Sequence, residues 1–318
     1  MKVILIGGTG QLGQEINKKK PDNIELIIPK RNELDLGCEK QCYEYFSRNS
    51  ASWIINSGAF TNVDKAESNI ELAMKVNAYG PAAIAKAISN NGGKLLHIST
   101  DYVFDGHQNI PYKTSQKTSP NNAYGTSKAE GEKFLLEKLT QINQLAIIRT
   151  SWLMGAHGIN FALKMLKLLS EREKIKVVYD QISSPTTTNT LSRAVWKLIE
   201  TNDKYTLDNQ IFPTINHFAD DGIVRRDAAL LLNFESETFV NQPFATRTEN
   251  LNPFHIANYA GSLTLNPEQD FWIEEVPLGT PDVFRIDSTF NAIATMLGVE
   301  DRENGGLAAS MWNSHEIT

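Results

Sequence analysis

Cysteine is scarce in this chain, since Cys38 and Cys42 are the two that occur among 318 residues. Two thiols cannot build the disulfide framework on which small secreted domains depend. Their spacing would also suit a metal site, but no histidine lies nearby in the sequence. We therefore expect two reduced thiols in a protein of the cytoplasm.

Long apolar runs and an excess of positive charge are also missing. No apolar stretch approaches the roughly 20 residues of a membrane span, and Met1 leads into an apolar run without the pattern of a signal peptide. The net charge of -6 argues against a nucleic-acid surface. A composition of 41% hydrophobic and 21% charged residues predicts a soluble globular protein of one or two domains, without membrane or nucleic-acid partners.

The chain opens with a strand pattern and a glycine-rich turn. Residues 3–6 form the short, β-branched run expected of a strand that is covered on both faces of a parallel sheet. Gly7, Gly10 and Gly13 follow, where a helical pattern begins. Glycines at such a point permit a tight turn and let the backbone approach a pyrophosphate. A simple glycine turn is the alternative, but the place of these residues favours a dinucleotide site.

Two cations follow the second strand pattern, which covers residues 24–28. Proteins that prefer NAD usually carry a carboxylate there, whereas Lys30 and Arg31 suit a ribose 2′-phosphate. The pair therefore favours NADPH, with NADH as the second choice; a solvated basic turn is the other interpretation. Asp35 follows as a candidate partner for the adenine end.

Strand and helix patterns alternate through the rest of the first half. Further strands are predicted at residues 53–56, 93–98 and 145–148. The alternation predicts an α/β fold, a doubly wound parallel sheet of the NAD(P)-binding Rossmann type with right-handed crossovers. Small residues from Ser57 onwards would let a cofactor lie against the backbone.

Tyr124 and Lys128 stand four residues apart in a helical pattern, which places both on one helix face. A free tyrosine has a pKa of about 10, and a neighbouring ammonium group would lower that pKa towards the working range. Ser99 and Thr100, at the end of an apolar run, can add a hydroxyl that holds a substrate carbonyl. An ordinary exposed helix turn shows the same spacing, so the preceding patterns carry the interpretation.

The glycine turn, Thr100, Tyr124 and Lys128, in this order, resemble the extended short-chain dehydrogenase/reductase superfamily. Five stretches together narrow the resemblance to the dTDP-4-dehydrorhamnose reductase family, over about the first 190 residues and faintly to residue 222. These stretches are residues 56–67, 99–106, 124–128, 149–152 and 180–186. That family makes dTDP-L-rhamnose, a precursor of surface polysaccharide.

The resemblance implies roles for the matched residues. Tyr124 would donate a proton to the C4 oxygen while NADPH or NADH delivers hydride, and Lys128 would hold the nicotinamide ribose and tune Tyr124. Thr100 would hydrogen-bond to the reacting oxygen, with Asp101 beside it. Trp152 would pack against the sugar nucleotide; a core aromatic is its alternative. The predicted cofactor-binding residues are Gly7, Gly10, Gln11, Leu12, Gly13, Arg31, Asp35, Leu36, Gly58, Ala59, Thr61, Tyr124 and Lys128.

Some members of that family hold a magnesium ion at a dimer interface through glutamates. Glu15 matches one such position, whereas residues 187–191 carry no carboxylate. We therefore predict that no Mg²⁺ or other metal is required and that Glu15 is a surface residue. A homodimer is a further expectation from the resemblance.

The last third of the chain departs from the family. Residues 223–318 lack the Arg-Pro segment that closes over the substrate in family members, and they show short alternating runs around residues 263–265 and 271–273. We predict a reductase domain over residues 1–222, including the start of a substrate lobe. Residues 223–318 are predicted as a smaller, atypical, partly β region. It weakly resembles tail-associated structural proteins of large bacteriophages and would be a fused or foreign segment.

The predicted function is reduction of the 4-keto group of dTDP-4-dehydro-L-rhamnose by NADPH, with Tyr124 as the acid. A rival from another class is a non-catalytic, nucleotide-binding regulatory or phage structural protein that keeps the reductase fold. A nucleotide-sugar epimerase or dehydratase is a second enzymatic rival, but such enzymes commonly hold NAD tightly, which fits Lys30 and Arg31 poorly. The joint presence of Thr100, Tyr124 and Lys128 favours the reductase.

Overall fold

The structure, a computed structural model, falls into two units. It describes residues 1–108, 111–171, 182–220, 224–225, 261–264, 272–275, 284–285 and 316–317. The first unit is Met1–Ser151 with Asn189–Phe218, and the second is Trp152–Thr188 with Ala219–Thr318. The boundary predicted between residues 222 and 223 remains a prediction.

A six-stranded sheet, all of whose neighbouring strands are parallel, forms the centre of the first unit. Its strands are β1 (Lys2–Ile6), β2 (Glu25–Ile27), β3 (Trp53–Asn56), β4 (Lys94–Thr100), β5 (Leu145–Thr150) and β9 (Ile215–Phe218). Their order is β2-β1-β3-β4-β5-β9. Strands β1 and β3–β5 are almost wholly buried, as their apolar runs predict, so the predicted doubly wound α/β fold is confirmed.

Helices connect these strands and cover the sheet. They are α1 (Gln11–Lys18), α2 (Glu39–Arg48), α3 (Val63–Ser68), α4 (Ile70–Met74), α5 (Gly80–Asn91), α6 (Ala123–Lys138) and α8 (Thr188–Leu207). A π-helical segment, Lys75–Tyr79, joins α4 to α5, and a 3₁₀ turn, Asp101–Val103, follows β4. Segments of π-helix often mark functional sites.

The strand order reverses next to β1, and this reversal defines where a ligand can bind. The chain passes from β1 outwards to β2 and then returns to β3 on the other side of β1. The connections that leave the carboxyl ends of β1 and β3 therefore separate and leave a crevice between them. The glycine turn follows β1 and Gly58 follows β3, so both lie at this crevice.

The second unit contains α7 (Phe161–Glu171) and short strand pairs. Strand β6 (Leu153–Met154) is parallel to β8 (Thr186–Thr187), and β7 (Ile182–Ser183) is antiparallel to β10 (Val224–Arg225). Beyond residue 260, β11 (Gly261–Thr264) pairs with β12 (Trp272–Glu275), and β13 (Phe284–Arg285) pairs with β14 (Glu316–Ile317). The alternating runs predicted as strands fall in part on β11 and β12, while residues 265–271 lie outside the described ranges.

The composition led to expectations about membrane-spanning helices and about the two cysteines. Within the described residues, no helix combines the length and the apolar character that crossing a membrane would need. Both cysteines are free thiols: Cys38 is exposed, and Cys42 is buried. Burial is the main reason why the pKa of the Cys42 thiol rises to about 12, so this thiol is unreactive at neutral pH.

Candidate active site

The glycine turn after β1 packs directly against the loop after β3. Gly7 has a φ of +80°, and a Cβ atom placed on it would lie 2.6 Å from the backbone nitrogen of Gly58. A Cβ atom on Gly13 would collide with the carbonyl oxygen of Gly7. These three predicted residues are therefore brought together, and no side chain larger than hydrogen fits among them.

The start of α1 presents backbone N–H groups at the same place. Gly10 is the residue before the helix, its own N–H donates to the Gly7 carbonyl at 2.9 Å, and no side chain caps the first turn. No acidic residue lies in that turn, while Leu12 is buried behind it. Gln11 is half-buried at the first helical position. The N–H groups and helix dipole fit the anionic pyrophosphate of a dinucleotide.

Arg31, Asp35 and Leu36 lie beyond β2. The Arg31 guanidinium is 86% exposed and stands 4.0 Å from the Asp35 carboxylate, which accepts a hydrogen bond from the Gly37 N–H at 3.0 Å. Such an exposed pair contributes little to stability, so Arg31 remains available to a phosphate. Leu36 is buried, and its Cδ1 atom lies 2.8 Å from where Gly58 would carry a Cβ. Leu36 therefore reaches the glycine cluster.

Asn77, in the π-helical segment, fixes the loop that follows Gly58. Its Oδ1 accepts a hydrogen bond from the Phe60 N–H at 2.8 Å, and its Nδ2 donates to the Phe60 carbonyl at 3.0 Å. The same Nδ2 donates to Ser127 Oγ at 2.9 Å, which links the loop to α6. Ala59 and Thr61, on either side of Phe60, are half-buried and exposed.

Tyr124 lies in the first turn of α6, where Asn122 caps the helix by accepting the Gly125 N–H at 2.7 Å. Its ring is buried and meets Tyr102 edge to face at 5.6 Å. Burial raises the pKa of Tyr124 above that of a free tyrosine; a hydrogen bond with Thr100 lowers the pKa, and the Asp101 carboxylate raises it. The prediction that Tyr124 has a lowered pKa is therefore wrong for the protein without ligands, because desolvation outweighs the other effects.

Thr100 and Asp101 stand at the carboxyl end of β4. The Thr100 hydroxyl donates to an Asp101 carboxylate oxygen at 3.0 Å and accepts from the Tyr102 N–H at 3.2 Å. Thr100 is buried, and its hydrogen bond with Tyr124 is the contact that lowers the pKa of that tyrosine. The structure therefore brings Thr100, Asp101 and Tyr124 into one cluster, as the sequence predicts.

Lys128, one turn after Tyr124, is 1% exposed and turns towards β4. Its Nζ donates to the Ile98 carbonyl at 2.7 Å and lies 3.1 Å from His97 Nε2. Burial lowers the pKa of Lys128 to about 8, and the Glu132 carboxylate opposes that shift. The ammonium form is therefore weakened relative to that of a free lysine, although it is still the main form at pH 7.

Four polar residues next to this cluster were not predicted as site residues. Asn56 on β3 and His97 on β4 are buried. His97 lies between the other two residues, with one ring nitrogen near Asn56 and the other near Lys128. Glu132 and Arg149 form a buried ion pair behind Ser99. The available signal was a polar residue inside an otherwise apolar strand, as at His97 between Leu96 and Ile98.

Trp152 and Glu15 differ from the rest of the predicted set. Trp152 belongs to the second unit, is half-buried, has a φ of +38°, and its ring lies 6.2 Å from that of Phe161. Its contact with a sugar remains a prediction.

Glu15 is 8% exposed, so the predicted surface position is wrong: α1 turns this residue inwards, 4.0 Å from Lys18. Among the described residues, no three His, Cys, Asp or Glu side chains cluster as metal ligands.

The chain is similar in sequence to a known family and to several of its members. The family model of the RmlD substrate binding domain matches residues 1–260, and so extends past residue 222. The dTDP-4-dehydrorhamnose reductase of Aggregatibacter actinomycetemcomitans is 35% identical over 219 residues, which are 68% of this chain and 72% of the relative. That of Salmonella typhimurium is 38% identical over 195 residues, 58% of this chain and 62% of the relative, which is less than two thirds of its length.

Solved structures show the same similarity. A dTDP-4-dehydrorhamnose reductase from Clostridium acetobutylicum has a TM-score of 0.66 and 35% identity, over 73% of this chain and 79% of that one. A dTDP-4-dehydrorhamnose reductase from Bacillus anthracis, in complex with NADP, has a TM-score of 0.63 and 36% identity, over 70% of this chain and 76% of that one.

Proposed function

The chain belongs to the RmlD substrate binding domain family, and from this premise we propose that it reduces the 4-keto group of dTDP-4-dehydro-L-rhamnose with NADPH. The family resemblance and the oxidoreductase class predicted from the motifs are thereby confirmed. The substrate and the residue roles are the proposal. One observation carries it: Thr100, Asp101 and Tyr124 cluster at the carboxyl end of β4, with Lys128 one turn away.

The crevice at β1 and β3 fits the cofactor. The Gly7–Gly13 turn and the start of α1 would hold the pyrophosphate, Arg31 the 2′-phosphate, and the backbone from Gly58 to Thr61 the remaining length. Lys128 would hold the nicotinamide ribose. A bound NADPH would supply the hydride. The NADP complex of the Bacillus anthracis relative supports this choice, and NADH remains the alternative.

The raised pKa of Tyr124 suits the role of proton donor. Because burial keeps the phenol protonated at neutral pH, a proton is available when negative charge develops on the sugar oxygen. A sugar alkoxide is a stronger base than a phenolate, so the transfer from Tyr124 is favourable. The Thr100 hydroxyl, which donates to Asp101 in the free protein, would stabilise the phenolate that remains by donating to the phenolate oxygen instead.

Two residues are proposed to contact the substrate. Asp101 lies beside Thr100 and would approach the sugar. The family resemblance implies that Trp152 stacks on the sugar nucleotide. Residues 1–222 would form the reductase domain with the start of the substrate lobe, and residues 223–318 a separate region. A homodimer and a location in the cytoplasm complete the proposal.

The test is oxidation of NADPH by full-length protein with dTDP-4-dehydro-L-rhamnose, followed by absorbance, together with NADPH binding by fluorescence. dTDP-glucose, which has no keto group, is the matched control and should give no oxidation. Oxidation with the keto sugar alone would support the reductase. Binding of NADPH without oxidation would favour the non-catalytic rival instead.

A further inference from the structure

A chain of hydrogen bonds runs from the backbone of the cofactor loop to Lys128. The Gly58 N–H donates to Asn56 Oδ1 at 3.2 Å, Asn56 Nδ2 lies 3.1 Å from His97 Nδ1, and His97 Nε2 lies 3.1 Å from Lys128 Nζ. Asn56 and His97 are fully buried, and Lys128 is 1% exposed. These polar groups are therefore shielded from bulk solvent and depend on one another as hydrogen-bond partners.

The direction of each hydrogen bond follows from the first one. A backbone N–H can only donate, so Gly58 fixes Oδ1 of Asn56 as the acceptor and turns the Nδ2 donor towards His97. His97 Nδ1 must then be the acceptor, which leaves the proton of the neutral imidazole on Nε2. Nε2–H faces Lys128 Nζ, and a donor there needs an acceptor. An ammonium group has none, whereas a neutral amine has one lone pair.

We propose that Asn56 and His97 are positioning residues that present Nε2–H of His97 to Lys128 and thereby favour its neutral amine over its ammonium form in the protein without cofactor. In this arrangement Lys128 accepts from His97 Nε2–H and donates to the Ile98 carbonyl at 2.7 Å. Lys128 can take up a proton only when this chain rearranges, because its Nζ then loses the lone pair that faces His97.

The charges around Lys128 are consistent with this state. Glu132 on α6 favours the ammonium form, but its carboxylate is bound by the Arg149 guanidinium of β5 at 2.6 Å. On β4, His97 is neutral, since burial holds its pKa well below the usual value, and the positive charge of protonated Lys128 acts in the same direction. Tyr124, one turn away, carries no charge at neutral pH because its pKa is raised. Burial itself lowers the pKa of Lys128.

The consequence for the reaction rests on the proposed function. If Lys128 holds the nicotinamide ribose, NADPH binding favours its ammonium form, so at about pH 8 and above binding draws a proton from solvent onto Lys128, and that ammonium group then lies beside Tyr124. The lowered pKa predicted for Tyr124 would then belong to the complex and not to the free protein. The position of the His97 proton is independent of any activity, so it can be tested separately.

The first test is the tautomer of His97, read from long-range ¹H–¹⁵N spectra of the full chain labelled at histidine. The chain has six histidines, and loss of one signal set in His97→Gln identifies the right one. We expect the Nε2–H tautomer at about pH 7.5, below the pKa of a free lysine. A proton on Nδ1 of His97 would overturn the proposal whether or not the protein reduces a keto sugar.

Asn56→Asp is the sharpest variant, because it replaces a donor by an acceptor of the same shape. The carboxylate would still accept from Gly58 but would draw the His97 proton to Nδ1, so Nε2 becomes an acceptor for an ammonium group. We expect the tautomer to switch and the pKa of Lys128, measured by NMR of labelled lysine, to rise by at least about one unit. A rise without the switch would reflect charge alone and would contradict the proposal.

Two substitutions of His97 separate its two nitrogen atoms. His97→Gln keeps a donor near the position of Nε2, whereas His97→Asn keeps a group near Nδ1 and leaves Lys128 without that partner. We expect His97→Gln to keep the pKa of Lys128 within about half a unit of its value in the unmodified protein. His97→Asn should raise the pKa of Lys128 by more than that. Equal pKa values in the two variants, with both folded by circular dichroism, would count against the role of Nε2–H.

Discussion

Glu132 and Arg149 form a bidentate ion pair inside the first unit. Arg149 Nε donates to Oε1 at 3.0 Å and Nη2 donates to Oε2 at 2.6 Å, and both side chains are less than 5% exposed. Ser99 Oγ also donates to Oε1 of Glu132. The pair ties α6, which carries Tyr124 and Lys128, to the neighbouring strand β5.

Removing one partner of this pair should destabilise the fold strongly. In Glu132→Gln the buried guanidinium of Arg149 loses its counter-charge, so we expect the free energy of unfolding in urea to fall by about 3–5 kcal/mol. Glu200→Gln is the matched control, because Glu200 pairs with Lys197 at 3.0 Å on an exposed surface. That control should change stability by less than about 1 kcal/mol. Similar losses in the two variants would contradict the importance of burial.

The lowered pKa of Lys128 gives stability a specific pH dependence. Between the folded pKa of about 8 and the ordinary lysine value of 10.5, the unfolded chain binds more protons at this residue, so its contribution to the free energy of unfolding rises with pH. The rise should reach about 3 kcal/mol. Other groups, including Tyr124, titrate at high pH as well. The difference in free energy of unfolding between the unmodified protein and Lys128→Met therefore isolates the contribution of Lys128. If that difference stays constant from about pH 7.5 to 10, the prediction is wrong.

The sequence predicts most of the scaffold, because strand periodicity and glycine spacing are local properties. Val3 to Ile6 and Gly7 show β1 and its turn without any knowledge of the rest of the chain. The cluster of Thr100, Asp101 and Tyr124 was also predictable, since the motif resemblance includes all three. The state of Lys128 was not, because its partners His97 and Ile98 lie on a strand thirty residues or more away. Burial raises the pKa of Tyr124, whereas the spacing of Tyr124 and Lys128 predicts a lowered one, because sequence spacing does not show which side chains are buried.

Gly7 should tolerate no side chain, for two separable reasons. Gly7→Ala would strain the backbone at φ +80° and press a methyl group on the Gly58 backbone at 2.6 Å. Gly92 has the same φ, but nothing lies within 4 Å of its Cβ position, so Gly92→Ala measures backbone strain alone. We expect Gly92→Ala to cost about 1 kcal/mol in chemical unfolding, Gly7→Ala clearly more, and only Gly7→Ala to weaken NADPH binding. Equal costs would indicate that the loop after β3 simply moves away.

Arg31 should decide the preference between the two cofactors. Its guanidinium is 86% exposed and lies 4.0 Å from the partly exposed Asp35 carboxylate, so removing it leaves no buried charge behind at that contact. We expect Arg31→Ala to lower NADPH affinity about tenfold and to leave NADH affinity within about twofold, because NADH has no 2′-phosphate. Fluorescence titration measures both. Lys30→Ala is the neighbouring control, and a larger loss there would assign the 2′-phosphate to Lys30.

Tyr124→Phe removes the proposed acid and little else. The substitution deletes one hydroxyl from a buried ring that packs on Tyr102, so the fold and the cofactor crevice should persist. We expect NADPH affinity to stay within a few-fold and turnover of dTDP-4-dehydro-L-rhamnose to fall by about 10²–10⁴, the usual contribution of a positioned acid. Tyr102→Phe, which changes the other ring of the same contact, is the matched control and should retain most of the activity. Because Thr100 bonds to the Tyr124 hydroxyl, Thr100→Val should lower turnover less than Tyr124→Phe does. Undiminished turnover in Tyr124→Phe would move the proton donor to another group in the cluster, with the Asp101 carboxyl next to be tested by Asp101→Asn.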